Sequence, residues 1–256
     1  MPPASSRTIL GMRVDVTTYE QAAERIVAWA REGRPAYVCV ATVNNVMEAH
    51  DDPAFMRVMN ESDLVTPDGM PLVWGLRGLG AGHASRVYGP DLTPLICQRA
   101  SDAGVPVGFY GGKPQVLEAL VRNIRVRFPA LQVAYAWSPP FRPLSREEDA
   151  EVVRQINDAG ARILFVGLGS PKQDVWMAAH RDRLEVVSVG VGAAFDILAG
   201  VKKQAPRAMQ EAGLEWLYRL ATEPRRVWRR YAKHNPRFLV LFLAQLIRRK
   251  DREGIA

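Results

Sequence analysis

Cysteine is scarce in this chain. Cys39 and Cys97 are the only two among 256 residues, and each lies inside an apolar segment. Two such thiols make neither a disulfide framework nor a zinc spacing, and they read as small buried hydrophobes. Long apolar runs are missing too. No stretch reaches the roughly 18 apolar residues a spanning helix needs, and residues 1–7 lack the apolar centre of a secretory signal. The expectation is a protein made and kept in the cytoplasm. His50, His83, His180 and His234 show no metal-ligand spacing. There is no Asp-x-Asp, no Walker loop and no G-x-S-x-G elbow. No metal and no cofactor are therefore expected, and any diphosphate handled here would depend on cationic side chains and backbone dipoles.

What is present is a core-forming composition, 48% apolar, and a net charge of +7 that is unevenly placed. Between residues 219 and 256 eleven Lys and Arg face three acids, a net of +8, so the preceding residues balance to −1. Charge segregated in this way points to an anionic partner: a lipid headgroup, a pyrophosphate or a nucleic acid.

Apolar runs alternate with helical patterns. Thr18-Tyr-Glu-Gln21 is a capping box opening a helix that runs to about residue 31. Strands are predicted over 37–41, 105–110, 131–136, 163–166 and 186–191, with helical stretches over 46–59, 114–128, 146–159 and 172–183 between them. This alternation predicts an α/β fold, a Rossmann-like and mostly parallel sheet flanked by helices, over residues 1–205. From about Pro206 it stops. Residues 206–256 read as a helical, basic C-terminal appendage, broken at Pro224 and Pro236. Its last apolar piece, Phe238-Leu-Val-Leu-Phe-Leu-Ala-Gln-Leu-Ile247, is bracketed by Arg237 and Arg248-Arg249-Lys250. Too short to span, it suits a helix lying in a membrane interface, or one packed on the core or on a second subunit.

Parallel sheets bind ligands at the C-terminal ends of their strands. Ala41-Thr42-Val43-Asn44-Asn45 follows such a strand; its polar side chains would face a ligand or simply cap the next helix. Pro67-Asp68-Gly69 is a tight turn presenting a carboxylate, suited to a general base or to a plain Asp-Gly turn. Gly108-Phe-Tyr-Gly111-Gly112-Lys113-Pro114 and Gly167-Leu-Gly169-Ser170-Pro171-Lys172-Gln173 are strand–glycine–helix junctions, where free N–H groups and the helix dipole favour a phosphate. Gly190-Val-Gly192-Ala-Ala-Phe195-Asp196 is a near miss to the dinucleotide fingerprint, with Phe where a small residue belongs.

Taken in order, these segments resemble the WecG/TagA/CpsF bacterial glycosyltransferases, glycosyltransferase family 26. The matching pieces are Ala-Thr42-x-Asn44, Asp63-Leu-x-x-Pro-Asp68-Gly69, Arg86-Val-x-Gly89-x-Asp91-Leu, Tyr110-Gly-Gly, Gly169-Ser-Pro171-Lys172-Gln173, Gly190-Val-Gly192-Ala-Ala-Phe195-Asp196, and Gly213-Leu-Glu215-Trp216-Leu-Tyr218-Arg219-Leu-x-x-Glu-Pro224-x-Arg226.

The resemblance implies an inverting, metal-independent transfer from a UDP-sugar to an undecaprenyl-diphosphate-linked acceptor, with N-acetylmannosamine, its uronic acid or glucose as the type of sugar moved. It implies Asp68 as base, and Thr42, Asn44 and Gln173 lining the sugar and diphosphate site. Gly111, Gly112, Gly169, Lys172 and Asp196 belong to the same substrate-binding set, and Arg86 is expected at the acceptor or diphosphate. The basic appendage would close over the site and dock on the inner face of the plasma membrane, with Arg219, Arg226 and Arg229 toward a diphosphate. One departure is Lys203-Gln204-Ala205-Pro206, where the family has Arg-Ala-Pro; that basic contact is expected to be either lost or taken over by Lys202 or Lys203.

Two other readings fit parts of the chain. A nucleic-acid-binding protein would explain the basic tail, but its aromatics are not spaced as a base-stacking platform, and no nucleic-acid partner is expected. A Rossmann-type NAD(P)-dependent oxidoreductase would use the glycines at 190 and 192, though no acidic residue closes a following strand. A homo-oligomer is compatible with all of this.

Overall fold

The computed structural model describes residues 5–253, with side chains described as far as residue 249. The chain opens with an antiparallel hairpin, β1 (Ser6–Ile9) and β2 (Met12–Asp15), followed by α1 (Tyr19–Arg31), which starts at the expected Thr18 capping box. There follow β3 (Ala36–Ala41), α2 (Val43–Asp51), α3 (Pro53–Glu61), β4 (Leu64–Pro67), α4 (Met70–Gly78) and α5 (Gly89–Asp102). The next units are β5 (Val107–Gly111), α6 (Pro114–Arg127), β6 (Val133–Trp137), α7 (Arg146–Asp158), β7 (Ile163–Gly167), α8 (Lys172–His180), β8 (Val187–Gly190) and α9 (Ala194–Leu198). Three helices end the chain: α10 (Arg207–Glu211), α11 (Glu215–Thr222) and α12 (Pro224–Glu253).

The central sheet has six parallel strands in the order β4-β3-β8-β7-β5-β6. Every residue of β3 and β8 is buried, as a parallel sheet covered on both faces requires. One face carries α2, α3, α4 and α8, and the other α1, α5, α6 and α9. The chain runs outward from β3 to β4, crosses to β5 and β6, then returns to insert β7 and β8 between the halves. A strand order that reverses in this way leaves a crevice at the C-terminal strand ends. The hairpin covers the outer edge of the sheet, where Asp15 Oδ2 accepts from the Val65 N–H at 2.7 Å.

Two expectations change. The helical stretch over 46–59 is two helices, because Pro53 starts α3 with Asp52 as its cap, accepting from Ala54 N–H at 2.8 Å. Pro224 does mark a boundary, as the first residue of α12, but Pro236 breaks nothing and lies inside that 30-residue helix. Contacts on both sides of Pro236 keep the helix continuous despite the lost backbone bond. His234 is buried before it; after it Arg237 grips Asp51 with two bonds of 2.8 and 2.7 Å, and Phe238 and Phe242 enter the core. Further on, Gln245 accepts from Leu10 N–H at 2.8 Å and donates to Thr8 O at 2.7 Å. The apolar run 238–247 is thus two-sided: Phe238 and Phe242 point inward, while Leu239, Val240, Leu243 and Ile247 are exposed.

Candidate active site

The segment after β3 and the turn after β4 are adjacent because the two strands pair in parallel and end together, Ala41 opposite Pro67. The ladder continues one step beyond, Asp68 N–H donating to Ala41 O at 2.8 Å. This brings the Asp68 carboxylate beside Thr42 and Asn44. Thr42 caps α2, with its N–H and hydroxyl both 3.1 Å from Asn45 Oδ1, while Asn45 Nδ2 donates to Ser170 Oγ at 2.8 Å. The loop after β3 is therefore tied to the loop after β7.

Residues 85–88 run alongside, Val87 N–H donating to Pro67 O at 2.9 Å. Arg86 there turns its guanidinium over the Tyr88 ring, 4.1 Å from the centroid, and reaches Asp68 twice: Nε donates to the backbone O, and Nη2 to Oδ1 at 3.1 Å. The same Nη2 donates to Glu215 Oε2 from α11. Arg219, one turn on, sits 2.6 Å from Glu215 Oε1 and donates to the Tyr88 hydroxyl at 3.4 Å. The result is a chain of alternating charge: Asp68, Arg86, Glu215, Arg219.

Its carboxylates sit in different fields. Burial pushes the Asp68 carboxyl up to about 6; Arg86 opposes the rise, Glu215 adds to it and Arg219 opposes it. Burial acts on Glu215 too, but Arg219 and Arg86 outweigh it and hold that carboxyl below its ordinary value. A carboxylate near 6 is suited to accepting a proton at neutral pH.

Thr42, Asn44, Asp68, Arg86 and Arg219 line one cleft, closed from above by α11 and α12 through Glu215, Trp216, Arg230, Tyr231, His234 and Asn235. The helices are seated by Trp74 of α4, so close to Gly213 that a Cβ there would lie 2.7 Å from the indole. Asn44 Oδ1, Arg230 Nε and His234 Nδ1 are buried without a hydrogen-bond partner among the described residues.

The other expected residues are not in this lining. Gln173 is buried; its Oε1 accepts from Gly169 N–H at 3.1 Å and its amide lies against Gly190 and Gly192, so it joins the loops after β7 and β8. Gly111, at φ +120°, allows β5 to approach β7: a Cβ would stand 2.7 Å from the Gly167 backbone. A Cβ on Gly112 would stand 3.3 Å from the ring of Phe195, and the same ring fills the space a Cβ on Gly167 would need. Lys172 is exposed at the start of α8. Asp196 is held 2.8 Å from Lys202, which also reaches Glu223 at 3.2 Å, while Lys203 is exposed. Arg226 pairs with Glu223 at 2.6 Å, and Arg229 lies exposed beside the Trp228 ring.

Sequence reasoning missed Glu215, Arg230 and His234 as site residues. Glu215 lay in plain view inside Gly213-Leu-Glu215-Trp216. Arg230 and His234 are four apart on a helix, as are Tyr231 and Asn235, and that spacing marks one face.

The family model described as the Glycosyl transferase WecG/TagA/CpsF family matches residues 7–252. With nearly the whole sequence covered, this chain belongs to the WecG/TagA/CpsF family, glycosyltransferases of cell-surface polysaccharide synthesis.

Proposed function

We propose that the chain carries a sugar from a UDP-sugar to an undecaprenyl-diphosphate-linked saccharide, with inversion, at a membrane surface. The observation that carries this reading is the Asp68 carboxylate, set in a cleft beside Arg86 and Arg219 and raised above its ordinary carboxylate range by burial. Asp68 takes the proton of the acceptor hydroxyl as that oxygen bonds to the anomeric carbon. On the opposite face the bond from that carbon to the UDP oxygen breaks, and UDP leaves with the electron pair. Arg86 and Arg219 supply positive charge for the departing diphosphate, a task for which guanidinium geometry is well matched. Thr42 and Asn44 offer polar contacts to the sugar.

The outer face of α12 supports the membrane part of the reading. Trp228, Leu239, Val240, Leu243 and Ile247 are all exposed, and at 3.6 residues per turn they fall within an arc of about 120°. Arg225 and Arg229 are exposed in the same arc. An apolar stripe flanked by cations fits an anionic bilayer surface, where each basic residue contributes about 1 kcal/mol. No helix among the described residues is long and apolar enough to cross a membrane.

The decisive experiment is a UDP-release assay over a panel of UDP-sugars with a short-chain lipid-diphosphate-sugar acceptor. Acceptor-dependent release with one donor is expected. Release from none, in a folded protein, would end the proposal.

A further inference from the structure

The charges of the cleft are unevenly satisfied. Arg86 is bonded to Asp68 and Glu215, and Arg219 to Glu215. Arg230, one face of α12 further along, lines the same cleft with no carboxylate at ion-pair distance among the described residues and with its Nε buried and unpartnered. Arg230 is partly exposed and its guanidinium lies 5.5 Å from the centre of the Tyr231 ring; its buried Nε–H without an acceptor is costly, and that cost is recovered when an anion arrives.

Beside it stand two unmet acceptors. The His234 side chain is only 4% exposed, and its Nε2 faces Glu48 Oε1 at 3.6 Å. That carboxylate favours the tautomer with the proton on Nε2, leaving Nδ1 as a lone-pair acceptor inside the cleft. Asn44 Oδ1, at the start of α2, is likewise buried without a donor. One cation and two acceptors ask for a ligand with an anion and neighbouring hydroxyl or amide N–H groups.

Resting on the transferase reading, we propose that Arg230, His234 and Asn44 form a glycosyl-phosphate subsite, in which Arg230 takes a phosphate oxygen and the other two accept from groups on the attached sugar ring. Both substrates of such a reaction contain a glycosyl phosphate, the donor as UDP-sugar and the acceptor as lipid-diphosphate-sugar. Acceptor occupancy would divide the work, Arg86 and Arg219 meeting the donor's diphosphate while Arg230 anchors the lipid diphosphate under α12; donor occupancy would have Arg230 share the departing diphosphate with them. Arg226, paired with Glu223, and Arg229, beside the Trp228 ring, do not line this cleft.

The test uses the full chain with Arg230→Gln, Arg230→Lys and His234→Phe, each checked for wild-type thermal unfolding. Calorimetry with inorganic pyrophosphate reads the anion contact without turnover, and steady-state kinetics give KM for the UDP-sugar and for a short-chain acceptor. Arg230→Gln is expected to weaken pyrophosphate binding about tenfold to a hundredfold, the range for a lost charged hydrogen bond, with Arg230→Lys in between. His234→Phe should leave pyrophosphate binding within about twofold yet raise one KM roughly fivefold or more, since it touches only neutral groups. Which KM rises identifies the substrate. Wild-type pyrophosphate binding in Arg230→Gln, or two unchanged KM values in both variants, would overturn the subsite. If His234→Phe fails to fold, the Arg230 pair decides alone. Pyrophosphate binding lost in Arg230→Gln, in a chain that moves no sugar, would keep the phosphate contact and remove the transferase reading.

Discussion

Glu215 bridges Arg86 and Arg219, giving one carboxylate oxygen to each guanidinium. Since Arg86 also holds Asp68 at 3.1 Å, a residue of the C-terminal helices acts electrically on a carboxylate at the end of a sheet strand. The charges around Asp68 can be changed one at a time, and each change has a sign.

Asp68→Asn keeps the shape and most hydrogen bonds of the turn but cannot take a proton. General-base catalysis contributes about 10²- to 10⁴-fold, so kcat should fall by that range while UDP affinity, measured by calorimetry, stays within a few-fold. Near-normal turnover in this variant would remove Asp68 from the reaction.

The acid limb of the kcat/KM profile should have its midpoint near 6, the value to which burial raises Asp68. Below it the base is protonated and rate is lost; above it rate is regained. Glu215 adds to that elevation, against the pull of Arg86 and Arg219. Glu215→Gln removes the negative charge and frees Arg86 to pair more fully with Asp68, so the midpoint should move to lower pH. An unmoved limb would show that the two carboxylates do not communicate, and an upward shift would overturn the sign argued here.

Much of the fold was legible in the sequence, because buried parallel strands leave continuous apolar runs such as Ile163-Leu-Phe-Val166. The hairpin of β1 and β2 and the strand β4 were not read: each has four residues and, unlike the equally short β8, none stands inside a longer apolar run. Pro236 misled for a physical reason, since tertiary packing around Phe238 and Phe242 overrides a local helix breaker. In the site, Thr42, Asn44 and Asp68 were readable as polar residues at strand ends, and Arg86 only through the family resemblance. The glycine pair at 111 and 112 has the same composition as a phosphate loop, yet here it accommodates Gly167 and the Phe195 ring. Close packing and ligand approach demand the same residue, so composition alone does not separate them. Which arginine of the tail enters the cleft depended on the phase of α12, and the phase follows from its buried phenylalanines.

Leu243 is about half exposed on the outer face of α12, so Leu243→Asp should cost little stability. It should nevertheless reduce co-sedimentation with anionic phospholipid vesicles, as should the double reversal Arg225→Glu with Arg229→Glu, the latter more strongly at low salt. Undiminished vesicle binding in both variants would reject the stripe as a membrane contact.

Asp174 offers a stability test independent of catalysis. It is fully buried in α8, takes a 3.4 Å contact from Asn45 Nδ2, and has one carboxylate oxygen with no hydrogen-bond partner among the described residues. Burial pushes its carboxyl up to about 6, with Ser170 and Cys39 pulling the other way. The folded state therefore keeps the proton in a window where the unfolded chain, near its ordinary value of 3.8, has released it. Folded protein is favoured at the acid end, and stability declines as pH rises from about 4 through about 6. A shift of about two units corresponds to a change on the order of 3 kcal/mol across the window. Asp174→Asn removes the titration while retaining an acceptor for Asn45. Urea unfolding of both proteins at pH 4 and pH 7 cancels the contribution of every other carboxylate. The variant should gain on the wild type as pH rises; parallel behaviour at the two pH values would mean that Asp174 titrates alike in the folded and unfolded states.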